Sequence, residues 1–166
     1  SGSNQTGLLS RAGPEMQNLN KITIVSLEQL PIKDLVPLVE ESRQQGHEFL
    51  DRLISEYADG TNQFKKPGEG LFGVYFDQQL VAIGGLNRDP YLSEPDIGRV
   101  RHLYVLSAWR KQGIGKQLVQ AIIAAAKGRF RLLTLRTFSA QADGFYRAIG
   151  FQTKPEVKGA THHLAL

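Results

Sequence analysis

The spacing of apolar positions changes period several times along this chain, and each change marks an element. Lys21 to Ser26 (Lys-Ile-Thr-Ile-Val-Ser) is rich in β-branched residues and predicts a strand. Pro31 suits the opening of a helix, where its missing N–H costs nothing, and Leu35, Leu38 and Val39 supply an apolar face. Pro37 blurs that start and Gly46 breaks the pattern. Phe49, Leu50, Leu53, Ile54 and Tyr57 form a second helical stripe, stopped by Gly60. Thr61 to Gly70 is a polar, proline-bearing loop. Leu71 to Phe76 and Leu80 to Leu86, joined by Asp77-Gln78-Gln79, predict a β-hairpin without the Asn-Gly signature. Asn87 to Asp96 holds Pro90 and Pro95 and reads as a loop, and Arg99 to Leu106 reads as a long strand. Gln112 to Lys127 predicts a helix with Ile114, Leu118, Ile122 and Ala126 on one stripe and Gly128 as its left-handed cap. Arg131 to Thr137 returns as a strand. Ser139 can cap a short helix with Ala142, Phe145, Tyr146 and Ile149 on its face and Gly150 as its stop. Phe151 to Thr153 and Ala160 to Leu166 predict a closing strand pair.

The order β-α-α-β-β-β-α-β-α-β-β predicts an α/β (α+β) fold: a mixed sheet with helices on both faces. At 166 residues the chain has about one domain's length, enough to own a sizeable core. Its 41% hydrophobic and 22% charged residues exclude wholesale disorder, collagen and coiled coil. No stretch approaches the ~20 apolar residues of a membrane span, so no membrane partner is expected. Cysteine is absent, which removes disulfides, a thiol nucleophile and cysteine-based zinc sites, and suits a cytoplasmic location. The polar segment Ser1 to Gly7 resembles an appended linker. We expect residues 1–15 to be such a linker or a disordered arm, a native start at Met16, and one domain over 16–166.

Charge adds a little. Twenty basic against sixteen acidic residues leave a net +4, but the basic residues are scattered, which weighs against nucleic acid. Chemistry concentrates in Leu103-Tyr104-Val105-Leu106-Ser107-Ala108-Trp109-Arg110-Lys111-Gln112-Gly113-Ile114-Gly115-Lys116, where a strand runs through a short glycine-bearing loop into a helix. A helix start leaves about four N–H groups unpaired and carries roughly half a positive charge. Glycines let a ligand approach that backbone, and Arg110, Lys111 and Lys116 add charge, so the segment suits a phosphate or pyrophosphate. A Walker loop is excluded, because Arg110 stands where its first glycine belongs and Gln117 follows Lys116. A dinucleotide fingerprint is excluded by Leu118 at its third glycine. The bland alternative is a loop that only turns the chain.

Arg110-x-x-Gly113-x-Gly115, after Leu103-Tyr104-Val105, resembles the acyl-coenzyme A signature of the GNAT superfamily of N-acetyltransferases. Ala142-x-x-Phe145-Tyr146-x-x-x-Gly150-Phe151 resembles its second signature, and the element order is similar from about Lys21 to Leu166. The resemblance implies a mostly antiparallel sheet in a GNAT-like acyl-CoA acyltransferase fold. It implies that acetyl-CoA is the co-substrate and that an amine attacks its thioester directly in a ternary complex. Backbone N–H groups of Arg110, Lys111, Gln112, Gly113, Ile114, Gly115 and Lys116 would hold the pyrophosphate. The backbone of Leu103, Tyr104 and Val105 would pair with the pantetheine arm. A strand bulge would part this strand from the next and leave a slot for the thioester, with an N–H polarising its carbonyl. Tyr146 would protonate the departing thiolate; its plainer reading is a core aromatic. Ser139 stands where the family often has a cofactor-contacting asparagine, and either that role or helix capping fits it. A homodimer is common in the family.

A second departure, besides Ser139, bears on chemistry. The strand glutamate that serves many members as base is replaced by Arg99. Deprotonating a lysine-like amine of pKa about 10.4 at pH 7 costs about 4–5 kcal/mol, an α-amine near 7.8 only about 1. The acceptor is therefore weakly basic, or a base comes from elsewhere: Glu48, Glu94, Asp96 and His102 are unranked candidates, each readable as an ordinary surface or strand residue. Arg99 and Arg101 share one strand face and could bind a substrate carboxylate or be structurally paired. His162 and His163 are adjacent on a strand and point to opposite faces, so no metal site is expected. The missing glutamate keeps a rival open, a non-catalytic acyl-CoA binding or sensing module.

Overall fold

In a computed structural model, residues 21–166 are described; the expected linker over 1–15 and the start at Met16 lie outside them. The chain runs β1 (Ile22–Leu27), α1 (Ile32–Gln44), α2 (Phe49–Ala58), β2 (Gly70–Phe76), β3 (Gln79–Arg88) and β4 (Ile97–Val105). A short 3₁₀ turn (Ser107–Trp109) leads to α3 (Ile114–Ala126), β5 (Leu132–Leu135), α4 (Ala140–Ile149) and β6 (His162–Ala165). The strands form one sheet in the order β1-β2-β3-β4-β5-β6, antiparallel except for the parallel β4–β5 pair. The mixed, mostly antiparallel sheet is the expected fold.

The two faces carry different helices. A methyl group built on Gly84 of β3 would meet Ile122 and Leu118 of α3 and Leu103 of β4, so α3 covers that face. Tyr104 reaches Glu41 of α1 and His102 reaches the Phe49 carbonyl of α2, so α1 and α2 cover the other. The predicted stripe of α3 is fully buried at Ile114, Leu118, Ile122 and Ala126. Each of the three larger side chains, Ile114, Leu118 and Ile122, contributes roughly 1.5–3 kcal/mol by leaving water. Helix α1 continues through Pro37, whose missing N–H leaves the carbonyl of exposed Lys33 to water.

Several boundaries differ from the sequence reading. Strand β3 extends to Arg88 and β4 begins at Ile97, because Asn87 pairs with Arg99 and Arg88 with Gly98 before the prolines end the ladder. The hairpin turn is two residues long, Phe76 pairing with Gln79, with Asp77 at φ 53°. Helix α3 begins at Ile114 rather than Gln112, since Gly113 still has φ 85°. The closing pair shrinks to β6 and a single bridge from Gln152 to His163, and Pro155 stands just beyond in a segment with no ladder.

Candidate active site

Strand β4 changes character half-way along. Ile97, Gly98 and Arg99 pair with Leu132, Leu133 and Thr134 of β5, and no later residue of β4 does. On the β3 side, Gly85 pairs with Arg101 and Ile83 with Tyr104. Three steps on β4 thus oppose two on β3, which is a bulge, and its surplus residue is His102 at φ 59°. Arg101 and His102 consequently face the same side. A methyl on Gly85, opposite Arg101, would meet Phe64, and the Phe64 ring lies edge-on to His102 at 6.2 Å. Beyond the bulge, the Leu106 N–H donates to the Val81 carbonyl. Alternation then turns the N–H and C=O of Val105 away from β3, onto an edge β5 does not cover.

The turn into α3 is held from behind. Glu41 accepts from the Tyr104 hydroxyl (2.6 Å), the Ser107 N–H (2.8 Å) and the Ser107 hydroxyl (2.7 Å). These bonds, with the nearby Arg110 cation, keep its carboxyl below the usual range despite some burial. Burial and the Glu41 hydrogen bond push the Tyr104 phenol up. Arg110 folds back: its Nε donates to the Val105 carbonyl (2.8 Å), Nη2 donates to Gln45 (3.2 Å), and its guanidinium lies over the Tyr104 ring. The Arg110 N–H is also engaged, with the Ser107 carbonyl at 3.3 Å. From Lys111 to Lys116 no backbone N–H donates to any acceptor among the described residues; the first helical bond runs from Gln117 to Gly113. The run of N–H groups with no protein acceptor among the described residues thus begins at Lys111. Lys111 and Gly113 both take positive φ, 63° and 85°, as residues of a tight turn into a helix do. Gln112 donates from Nε2 to the Ala108 carbonyl, while its buried Oε1 has no partner among the described residues.

Helix α4 abuts this cradle. Phe145 lies 3.3 Å from where a methyl on Gly115 would sit, so the two sequence motifs touch. The next residue, Tyr146, is buried among Phe145, Phe151 and His162, with ring centroids 5.0, 5.5 and 6.0 Å away. Burial alone pushes its phenol well above the ordinary range, and no described residue bonds its hydroxyl. Ser139 caps α4, its Oγ accepting from the Ala142 N–H at 2.9 Å. His162 and His163 part as expected on a strand: His162 sits between Asp143 and Thr161, and His163 bonds the Pro155 carbonyl. Among the described residues no group of His, Asp or Glu could hold a metal ion, and no helix is long and apolar enough to cross a membrane.

Arg99, at the position of the missing glutamate, is buried and structurally paired. It faces Asp89 (3.4 Å), donates to the Gly159 carbonyl (3.0 Å) and lies over the Tyr91 ring. Asp89 is itself fully engaged, accepting also from the Thr134 hydroxyl and the Tyr91 N–H. Of the base candidates, Glu94 and Asp96 both pair with Arg131 on the surface, and Glu48 is exposed. His102 is different. Its Nδ1 lies 3.2 Å from the Phe49 carbonyl, which only accepts, so that nitrogen carries the proton. Its Nε2 is buried without a partner among the described residues, and burial pulls the ring down to about 4. The sequence reading missed Glu41, Gln45 and Asp89; nothing in the local pattern marks them.

Residues 32–151 match the acetyltransferase (GNAT) family. A chain from Exiguobacterium sp. 255-15, provisionally called an acetyltransferase, is 30% identical, with 87% of this chain and 93% of that one covered at a TM-score of 0.75. An acetyltransferase of Streptococcus agalactiae 2603 shares the fold at 14% identity, 88% and 99% coverage and a TM-score of 0.69. A GCN5-related N-acetyltransferase of Kribbella flavida does so at 16% identity, 89% and 99% coverage and a TM-score of 0.67. No curated protein matches the chain.

Proposed function

The chain belongs to the acetyltransferase (GNAT) family and is an acyl-CoA-dependent acyltransferase, and from that premise we propose that it moves an acetyl group from acetyl-CoA to an amine by direct attack in a ternary complex. The observation that carries this reading is the run of N–H groups from Lys111 to Lys116 with no acceptor among the described residues, beside a strand edge left open by a bulge. The run suits a pyrophosphate: six donors, the start of α3, and the cations of Lys111 and Lys116. The Val105 N–H, turned to the open edge, suits the pantetheine arm, although Arg110 takes the Val105 carbonyl.

Bound acetyl-CoA supplies an activated acyl carbon and a thiolate leaving group. The amine forms the C–N bond as the C–S bond breaks; it loses one proton, and the sulfur gains one. An N–H at the bulge polarises the acyl oxygen. Tyr146 gives the sulfur its proton. Its phenol stays protonated at neutral pH, and its hydroxyl, engaged by no described residue, is available to donate. Ser139, occupied as a helix cap through its oxygen, keeps its hydroxyl hydrogen for the co-substrate. With Arg99 tied to Asp89, no carboxylate stands at the strand position to take the amine's proton, so weakly basic amines should react best. A cysteine-free chain of this kind suits the cytoplasm.

Thiol release from acetyl-CoA across amines of graded pKa tests the reading. We expect turnover, faster for amines with pKa near 8 than near 10. The absence of that strand carboxylate favours one second reading, an acyl-CoA binding or sensing module. Tight acetyl-CoA binding with no thiol release from any amine would select it.

A further inference from the structure

We propose that the acceptor is a small amine that carries a carboxylate, and that Arg101 binds that carboxylate in an open cavity of about 720 Å³ beside the β4 bulge. This rests on the acetyltransferase reading above. The volume suits a small molecule. Arg101 stands two residues past Arg99, the last β4 residue paired to β5, so it borders the open slot. The cavity lies on the face of α1 and α2, opposite α3.

The charges around the cavity are unevenly satisfied. Its acids are mostly taken: Asp89 by Arg99 and Thr134, Glu69 by the N–H groups of Lys66 and Arg88, Glu94 by Arg131. Among the described residues only Glu56 of the lining acids has a carboxylate with no ion pair or hydrogen bond. Of the cations, Lys65 is held by the Glu28 carbonyl (2.8 Å), and the other three are less engaged. Arg101 has one long contact, Nη1 to the Asn87 oxygen at 3.5 Å. Arg88 has a buried Nε with no acceptor, and Lys66 makes no ion pair, both among the described residues. Asn87 is locked by a reciprocal amide pair with Asn62, 2.9 Å each way, which fixes the ground beneath Arg101. A guanidinium with spare parallel N–H donors is matched by the two oxygens of a carboxylate.

Thiol release is measured for free amino acids and dipeptides, each beside its primary amide. In dipeptides the carboxylate is too far from the amine to alter its basicity much, so the comparison isolates recognition. We expect kcat/KM at least tenfold higher for the carboxylates, and Arg101→Gln to bring that ratio near one with the KM for acetyl-CoA unchanged. Calorimetric titration of the CoA-loaded protein with N-acetylglycine and N-acetylglycinamide repeats the comparison without turnover and without a variant. Amides that react and bind as well as carboxylates, or a ratio that survives Arg101→Gln, overturn the proposal while leaving the acetyltransferase standing. Failure of acetyl-CoA to bind would remove the acetyltransferase reading itself.

Discussion

The two ends of β4 are built on opposite rules. At its start the strand is hydrogen-bonded on both sides, and even a buried cation, Arg99, has a carboxylate, a carbonyl and an aromatic face around it. At its end one side is bare, and the following turn holds a run of N–H groups with no protein acceptor among the described residues. Satisfaction at one end serves stability, whereas the N–H groups at the other, at a helix start and mostly exposed, are left to solvent or to a ligand. The missing strand glutamate fits this division: its position lies on the saturated side, where Arg99 and Asp89 serve the fold.

Four perturbations test the division. Tyr146→Phe, at the bare end, should lower kcat by roughly 10²–10⁴ with little change in acetyl-CoA affinity; a fully active variant removes Tyr146 as the acid. Asp89→Asn, at the saturated end, should cost about 3–5 kcal/mol of stability in urea unfolding, because it strands a buried guanidinium, while a refolded fraction still binds acetyl-CoA. A variant as stable as the wild type would show that Arg99 does not need its partner. His102 sits at the border. Its ring charges near pH 4 in the folded protein and near 6.5 in the unfolded chain. Between those values the unfolded chain binds the extra proton, so stability falls by about 3 kcal/mol as pH drops from 6.5 to 4. His102→Asn, which tolerates positive φ, should lose that part of the slope; an unchanged slope would mean that His102 is not buried neutral. Gly113→Val should weaken acetyl-CoA by roughly a hundredfold, since a β-branched residue at φ 85° distorts the cradle. Unchanged affinity by calorimetry would count against the pyrophosphate assignment.

Much of the fold was legible because its signals are local. The α3 stripe and the β-branched run of β1 lie within a dozen residues of sequence, and the glycines before and after α3 mark its ends. The anion cradle was legible for the same reason, since a strand, two glycines and a helix are contiguous. What stayed hidden depends on distance. Glu41 lies 66 residues from the Ser107 that it anchors, and Asp89 lies 45 from Thr134. Nothing at either position announces a partner so far along the chain. The bulge was foreseen only through family resemblance, because a surplus strand residue leaves no mark on hydrophobic alternation when Leu103 and Tyr104 resume it at once. The expected strand at Phe151 failed for the opposite reason. Its local pattern was adequate, but β6 offers it a single bridge.

His102 is one amino acid more than a regular ladder needs, so excising it would not wound the sheet but heal it: Arg101, Leu103 and Tyr104 would face Gly85, Gly84 and Ile83 in unbroken succession. The mended edge could then zip onward along β5.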